Sequence, residues 1–133
     1  MVSPKKENKM SNHNINLITQ TTSTECGQCC IAMLLDITRE EALYLVGHGE
    51  ITTTMDLVGV LNREGAEITR KLTMKPSIET ERNKSLLVYH ESPDGKRGHW
   101  TIEHNGVVYD PARIGKTLWP AKTWIIIDLN KVR

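Results

Sequence analysis

The first half of the chain has the apolar and polar pattern of helices. The segment from Cys26 to Leu35 is apolar on nearly every side, a pattern typical of a helix that is buried all round. Thr24 stands just before it and can cap its start, and Asp36 ends the apolar run. We therefore predict a buried helix that begins at Cys26.

Two more helices are predicted from the signals at their ends. Thr38-Arg39-Glu40-Glu41 fits a capping box, in which a threonine and a glutamate each bind the other's backbone N–H. Gly47 suits the left-handed end of that helix. A third helix is predicted over 55–64, with Thr53 or Thr54 as its cap and Gly65 as its stop.

The second half of the chain has the shorter apolar runs of strands. Asn105-Gly106 lies between two of them and is the strongest short signal for a β-hairpin. Because helices come first and strands follow, the order predicts an α+β fold with an antiparallel sheet. The predicted strands cover 66–70, 86–90, 99–104, 107–110 and 124–127.

Composition favours a globular chain over a nucleic-acid or membrane protein. Seventeen Lys and Arg against sixteen Asp and Glu, in 133 residues, leave no basic excess for nucleic acid. No apolar run is long enough for insertion into a bilayer. Residues 1–14 are polar and are predicted to form a flexible tail, ahead of one domain over 15–133. The oligomeric state stays open.

The three cysteines indicate the compartment. Cys26, Cys29 and Cys30 crowd into five positions, and pairs this close on one helix do not form relaxed disulfides with each other. The pattern therefore fits a reducing compartment. The N-terminus lacks an apolar core like that of a signal peptide. We expect a cytoplasmic protein.

Cys26 has the position of a nucleophile. The start of a helix stabilises a thiolate through its free N–H groups and the positive end of its dipole. Gly27 beside it is predicted to leave room for a substrate backbone. Cys29 and Cys30 lie one turn further into the helix, where burial favours the neutral thiol. We interpret these two as small core residues.

The predicted hairpin brings His99 and Asp110 together. A two-residue turn at 105–106 pairs Thr101 with Asp110, and side chains alternate between the faces of a strand. His99 and Asp110 are then diagonal neighbours on one face, roughly 7–8 Å apart at the backbone. A carboxylate there can hold the imidazole in one tautomer. His104 points to the opposite face, which argues against a metal site shared by the two histidines.

The other histidines and the tryptophans are assigned structural roles. His48 and His90 stand at the ends of predicted elements and are expected at the surface. Trp100 lies on the face opposite His99 and is expected in the core. Core packing also suits Trp119 and Trp124 better than a place in a substrate cleft.

Three segments of the chain resemble one family. Residues 20–34, QTTSTECGQCCIAML, resemble the active-site segment of the double-glycine-leader peptidases, the papain-like domains that precede bacteriocin exporters. That family has a glutamine six residues before the cysteine, an acidic residue just before it and a glycine after it. Glu25 stands where the family usually has aspartate. Gly98-His99-Trp100-Thr101-Ile102 resembles the family's histidine strand, and Tyr109-Asp110-Pro111-Ala112 its Asp-Pro segment.

The resemblance implies a papain-like cysteine peptidase that hydrolyses a peptide bond through a thioacyl-enzyme. It implies Cys26 as the nucleophile, His99 as the base, Asp110 as the group that orients the imidazole, and Gln20 as an oxyanion donor beside the Cys26 N–H. The partner would be a protein or peptide substrate, with no cofactor and no metal. Because a fold and a triad define a reaction class and not a substrate, the double-glycine substrate does not carry over.

Several alternatives stay open. Cys-Gly-Gln-Cys at 26–29 also resembles the Cys-Gly-x-Cys of papain, which would make Cys29 the nucleophile; the position of Gln20 favours Cys26. The same triad would serve a deamidase, a transglutaminase or an acyltransferase acting on a protein. A non-catalytic peptide-binding module is another alternative. So is a metal-binding module built on Cys26, Cys29, His99 and His104, although their spacing is far longer than that of a zinc finger.

Overall fold

The chain folds as helices followed by an antiparallel sheet. A computed structural model describes residues 15–76, 84–112 and 119–129; the predicted tail, 1–14, lies outside them. The order of the elements confirms the predicted α+β class. The helices in the described part are α1 (Cys26–Leu35), α2 (Arg39–Val46) and α3 (Thr54–Arg63), and the strands are β1 (Glu67–Leu72), β2 (Lys84–Glu91), β3 (Gly98–His104), β4 (Val107–Tyr109) and β5 (Ala121–Asp128).

Helix α1 is buried along its whole length, as its composition predicts. It begins at Cys26, and Asp36 ends it in the left-handed conformation. The predicted cap is wrong: no side chain caps the start of α1. The Thr24 hydroxyl instead donates to the carbonyl oxygen of Gly49 at 2.6 Å. Thr24 therefore joins the start of α1 to the loop that follows α2.

The ends of α2 and α3 are set by the predicted local bonds. The Glu41 N–H donates to Thr38 Oγ1 at 3.0 Å, and the Thr38 N–H donates to the Glu41 carboxylate at 2.9 Å. Helix α2 then ends at Gly47 with a φ of 96°. Thr53, rather than Thr54, caps α3 through the same reciprocal pair of bonds with Asp56.

The described strands form one antiparallel sheet in the order β1-β5-β2-β3-β4. The β3–β4 hairpin has the predicted register, with His104 opposite Val107 and Ile102 opposite Tyr109. Asn105 and Gly106 both have positive φ, 53° and 79°, as a two-residue turn of type I′ requires. The register places His99 and Asp110 on the same face of the hairpin.

The main hydrophobic core joins the helices to one face of the sheet. Trp100 is buried in this core, as predicted, and α1 contacts β3 directly. A smaller cluster of Leu86, Val88 and Ile126, with Trp124 packed against it, uses the alternate positions of β2 and β5. None of the described helices has both the length and the apolar character needed to cross a bilayer. The packing of α1 against β3 places the start of α1 beside the histidine strand.

Candidate active site

Cys26, His99 and Asp110 form a continuous line of contacts at the start of α1. His99 Nε2 lies 2.6 Å from Asp110 Oδ1, and the Ala112 N–H donates to the same oxygen at 2.9 Å. The Cys26 side chain is hydrogen-bonded to the His99 ring. Because Nε2 faces the carboxylate, Nδ1 is the ring nitrogen left for the sulfur. The three side chains therefore lie in the order sulfur, imidazole, carboxylate.

The electrostatics of this site favour a protonated imidazole. Burial lowers the pKa of His99, but its hydrogen bonds with Asp110 and Cys26, together with their negative charges, raise it to about 9. Burial raises the pKa of Asp110, yet the hydrogen bonds from His99 and the Ala112 N–H outweigh that effect and lower it. At neutral pH the two groups therefore form an imidazolium–carboxylate pair. An imidazolium beside a sulfur is the partner that a reactive thiolate needs.

Cys29 and Cys30 have a different environment in the same helix. Both are fully buried. Burial, followed by the negative charge of Glu25, raises the pKa of Cys29 to about 11. Burial also raises the pKa of Cys30 well above its ordinary value. These two thiols stay neutral at physiological pH, which favours Cys26 over Cys29 as the nucleophile.

Gln20 lies in the wall of the same cavity as Cys26 and His99. Its Nε2 donates to the carbonyl oxygen of Thr22 at 2.9 Å, and its backbone N–H donates to the carbonyl oxygen of Pro111 at 3.0 Å. A primary amide nitrogen carries two N–H groups, so Nε2 has a second one beyond the bond to Thr22. Gln20 is thus tied to the residue that follows Asp110, in reach of a bound substrate.

Glu25 is a buried carboxylate whose partner the sequence analysis missed. Arg39 donates from Nε and Nη2 to the two carboxylate oxygens, at 2.9 and 2.8 Å, and the N–H and hydroxyl of Thr21 donate to Oε1. The hydrogen bond from Arg39 outweighs burial and lowers the pKa of Glu25 to about 2. A carboxylate beside the start of a buried helix needs a cationic partner. The sequence could therefore have predicted that a nearby arginine or lysine pairs with Glu25.

Cys26 and His99 line a cavity of about 560 Å³, a volume typical of ligand sites. Trp119 lines this cavity instead of packing in the core as predicted, and the Arg97 guanidinium lies 5.3 Å from the centroid of its ring. The remaining wall residues are Gln20, Ser23, Thr24, Ile51, Thr52, Tyr89, Lys96, Gly98, Trp100 and Ala112.

Gly27 has a different purpose from the predicted one. A Cβ on Gly27 would overlap the Thr52 hydroxyl and crowd the Leu57 side chain. The missing side chain therefore lets the loop before α3 approach α1, and it does not leave room for a substrate. Gly98 works in the same way beside His99, because a Cβ there would overlap the Tyr89 ring.

His90 is buried, so its predicted surface position is wrong. Its Nδ1 lies 2.9 Å from the carbonyl oxygen of Trp119, and its Nε2 lies 2.8 Å from Thr101 Oγ1. Because a carbonyl oxygen only accepts, Nδ1 carries the hydrogen and Nε2 accepts from the Thr101 hydroxyl. Burial lowers the pKa of His90 more than the bond to Trp119 raises it, so the ring is neutral.

The remaining described histidines lie apart from this site. His104 lies 2.7 Å, through Nδ1, from Ser85 Oγ, and its odd spacing from His99 places it on the opposite face, as predicted. His48 is partly exposed, 3.5 Å from the Asp56 carboxylate, which agrees with the predicted surface position. Over the residues that the structure describes, no group of three or more His, Cys, Asp or Glu could hold a metal ion.

Comparison with known proteins identifies the fold but not the residues' roles. The sequence matches no protein-family profile and no curated protein. Solved structures do match. The crystal structure of a double glycine motif protease from an AMS/PCAT transporter, in complex with the leader peptide, matches with a TM-score of 0.59 at 15% identity, over 92% of this chain and 94% of that one. This similarity confirms the fold that the sequence resemblance implied.

Proposed function

We propose that the chain is a cysteine peptidase in which Cys26 attacks a peptide carbonyl, His99 moves the proton and Asp110 holds the imidazole. The proposal rests on the contact of His99 with both Cys26 and Asp110 beside the cavity. The fold shared with a double glycine motif protease supports a peptide bond as the target. The leader peptide bound to that protease supports a peptide as the ligand of this cavity.

The chemistry follows from these positions. The Cys26 thiolate forms a bond with the carbonyl carbon, and the oxyanion accepts hydrogen bonds from Gln20 Nε2 and the Cys26 N–H. When the carbon–nitrogen bond breaks, the amine takes the proton of His99 and leaves. His99 then removes a proton from water, which attacks the thioester and releases the acid and the thiolate. Asp110 keeps Nδ1 directed at the reacting atoms throughout.

The raised pKa of His99 gives the reaction a defined pH range. Since the pKa is about 9, the imidazole holds its proton at neutral pH and loses it as the pH rises through 9. Above that pH, His99 has no proton to donate to the leaving amine. We therefore expect kcat/KM to fall above about pH 9.

A peptide library tests the proposal most directly. Purified chain is incubated with diverse peptides, and the products are identified by mass spectrometry. We expect cleavage that falls about 10,000-fold in Cys26→Ala and persists in Cys29→Ala, which removes a thiol from the same helix. Loss in Cys29→Ala but not in Cys26→Ala would contradict the assignment. A mass change of about one dalton, or a transferred group without chain cleavage, would indicate a deamidase or a transferase instead.

Thiol labelling tests the same assignment without a substrate. With iodoacetamide near pH 7, we expect Cys26 to react first, because Cys29 and Cys30 are buried and neutral. In His99→Ala, Cys26 should react more slowly than in the parent chain. The measurement is peptide mass spectrometry after timed quenching, and equal rates for the three thiols would refute the role of Cys26.

A further inference from the structure

We propose that the cavity beside Cys26 selects peptides that carry a carboxylate near the scissile bond, and that Arg97, assisted by Lys96, binds this carboxylate. The inference rests on the proposed function, because it names the substrate class of that site. It comes from the charge of the cavity wall and from the way in which Arg97 is held.

The described wall of the cavity contains cations and no carboxylate. Lys96 and Arg97 both line it, and none of its described wall residues is Asp or Glu. The His99 imidazolium faces the Cys26 thiolate that the proposed function requires, so Lys96 and Arg97 supply the excess positive charge of the wall. A concave wall of one sign concentrates ligands of the opposite sign and speeds their association.

Two nearby carboxylates have partners of their own. Asp110 binds His99 and the Ala112 N–H. Asp94 accepts the Ser92 hydroxyl at 2.6 Å and the Lys96 N–H at 3.0 Å within its own loop. In the part of the chain that the structure describes, neither Lys96 nor Arg97 is in an ion pair. After the hydrogen bond from Ser92, the Arg97 charge also contributes to the lowered pKa of Asp94, but no described carboxylate lies within ion-pair distance of either cation, so both can bind one from a peptide.

The main chain of Arg97 is fixed at both of its polar groups. Its N–H donates to Ser92 Oγ at 3.0 Å, and its carbonyl oxygen accepts the Ser92 N–H at 2.8 Å. Gly95 closes the turn between them with a φ of 72° and a bond to the Ser92 carbonyl. The side chain of Arg97 thus starts from an ordered point, which lowers the entropy lost on binding.

The side chain of Arg97 also has a partner that leaves its hydrogen-bond donors usable. Its guanidinium lies 5.3 Å from the centroid of the Trp119 ring, a cation–π distance. A guanidinium stacked on a ring still presents its N–H edge, which matches the two oxygens of a carboxylate. Lys96 and Arg97 are both exposed, but the lysine ammonium is a point charge on a flexible stem and lacks the planar edge of a guanidinium. We therefore assign the larger share of the binding to Arg97.

The carboxylate can come from a Glu or Asp side chain or from a free C-terminus, and four probes separate these sources. They are fluorescently labelled peptides of one neutral sequence, with Glu or Gln at the centre and a carboxylate or an amide at the end. Binding is measured by anisotropy to Cys26→Ala, so that no turnover is needed. A preference for Glu over Gln identifies the side chain, and a preference for carboxylate over amide identifies the terminus.

We expect Cys26→Ala to bind the favoured carboxylate peptide about ten-fold more tightly than its neutral twin, with a smaller ratio at high salt. Adding Arg97→Gln should remove most of this ratio, and adding Lys96→Gln should reduce it about two-fold. Lys71→Gln, at an exposed position of β1 outside the cavity wall, is the matched control and should leave the ratio unchanged.

The outcomes distinguish this inference from the proposed function. Equal binding of each peptide and its neutral twin would overturn it, as would a ratio that survives Arg97→Gln. Cleavage of library peptides by the unsubstituted chain without any charge preference would sink the inference and leave the peptidase intact. A charge preference in binding, in a chain that cleaves no library peptide, would support the carboxylate site and contradict the proposed peptidase.

Discussion

His90 and His99 lie opposite each other on β2 and β3, with ring centroids 6.4 Å apart, yet their pKa values move in opposite directions. Burial lowers the pKa of both rings. His90 has a hydroxyl and a carbonyl oxygen as partners, and its pKa stays lowered. His99 has the Asp110 carboxylate and the Cys26 sulfur, and its pKa rises to about 9. The charge of the partner therefore explains why the pKa values of two buried rings on neighbouring strands differ.

The two rings also give stability opposite pH dependences. An unfolded histidine titrates near 6.5. The raised pKa of His99 contributes stability that is fully present below 6.5 and is lost as the pH rises through about 9. The lowered pKa of His90 contributes stability that is present above 6.5 and is lost as the pH falls below it.

Among the changes that test this comparison, substitution of Asp110 is expected to have the largest effect on kcat/KM. In Asp110→Ala the imidazole loses its orientation and its charged partner, so we expect kcat/KM to fall about 100-fold or more. Asp110→Asn keeps an acceptor oxygen but removes the charge. It should retain more activity than Asp110→Ala, while the alkaline limb of the pH profile moves below pH 9.

The pH profile of kcat/KM for both variants is the measurement. If the alkaline limb stays near pH 9 in Asp110→Asn, the partner's charge does not set the pKa of His99. The partner's charge would then not explain why the pKa values of His90 and His99 differ.

Arg39 extends the comparison to a buried carboxylate with a cationic partner. Arg39→Met leaves Glu25 charged and without its main donor, so we expect the free energy of unfolding at neutral pH to fall. The stability from this pair is present above the ordinary pKa of Glu25, 4.5, and is lost as the pH falls through about 2. The difference between the two proteins should therefore shrink in acid.

Urea unfolding at several pH values measures this difference. Glu25→Gln combined with Arg39→Met is the control, because it removes the stranded charge and should recover part of the loss. A double variant less stable than Arg39→Met alone would mean that the bonds from Thr21 are enough to make the Glu25 charge stabilising without Arg39.

Substitution of His90 should have the smallest effect on activity, and this effect should fall mainly on KM. His90→Phe leaves the Trp119 carbonyl without its donor, so we expect Trp119 to shift and KM to rise a few-fold, with stability lower by about 1–3 kcal/mol. His90→Asn keeps a donor near the position of Nδ1 and should lose less. The alkaline limb near pH 9 should stay in place in both.

Steady-state kinetics and the fluorescence of Trp119 follow these changes, with Trp119→Phe as the reference for its signal. A His90→Phe protein whose alkaline limb moves as far as that of Asp110→Asn would show that the neutral ring also sets the pKa of His99.

Local bonds explain which parts of the fold could be predicted from the sequence. The capping boxes of Thr38 and Thr53 close within one turn of the chain. The Asn105-Gly106 turn fixes its register through two residues. These interactions need no knowledge of the rest of the molecule, so sequence is enough. The same turn gave the juxtaposition of His99 and Asp110, whose catalytic roles stay predictions, as do those of Cys26 and Gln20.

Contacts between distant segments explain what could not be predicted. The position of Thr24 suits a helix cap, but its hydroxyl donates to the carbonyl oxygen of Gly49 instead. Gly27 fits a substrate site, but Thr52 fills the space. His90 fits the surface, but Thr101 and Trp119 bury it from two other segments. In each case one or two tertiary partners override a local preference.

The bond from the Gln20 N–H to the Pro111 carbonyl has a consequence for synthesis on the ribosome. It joins a residue made early to one made late, and the imidazole and its carboxylate also come late in the chain. A nascent polypeptide that already contains Cys26 therefore has neither the imidazole nor the carboxylate beside the sulfur until β3 and the residues after β4 have been made. We expect a fragment that stops before β3 to carry an ordinary thiol, which iodoacetamide labelling of such a fragment would check.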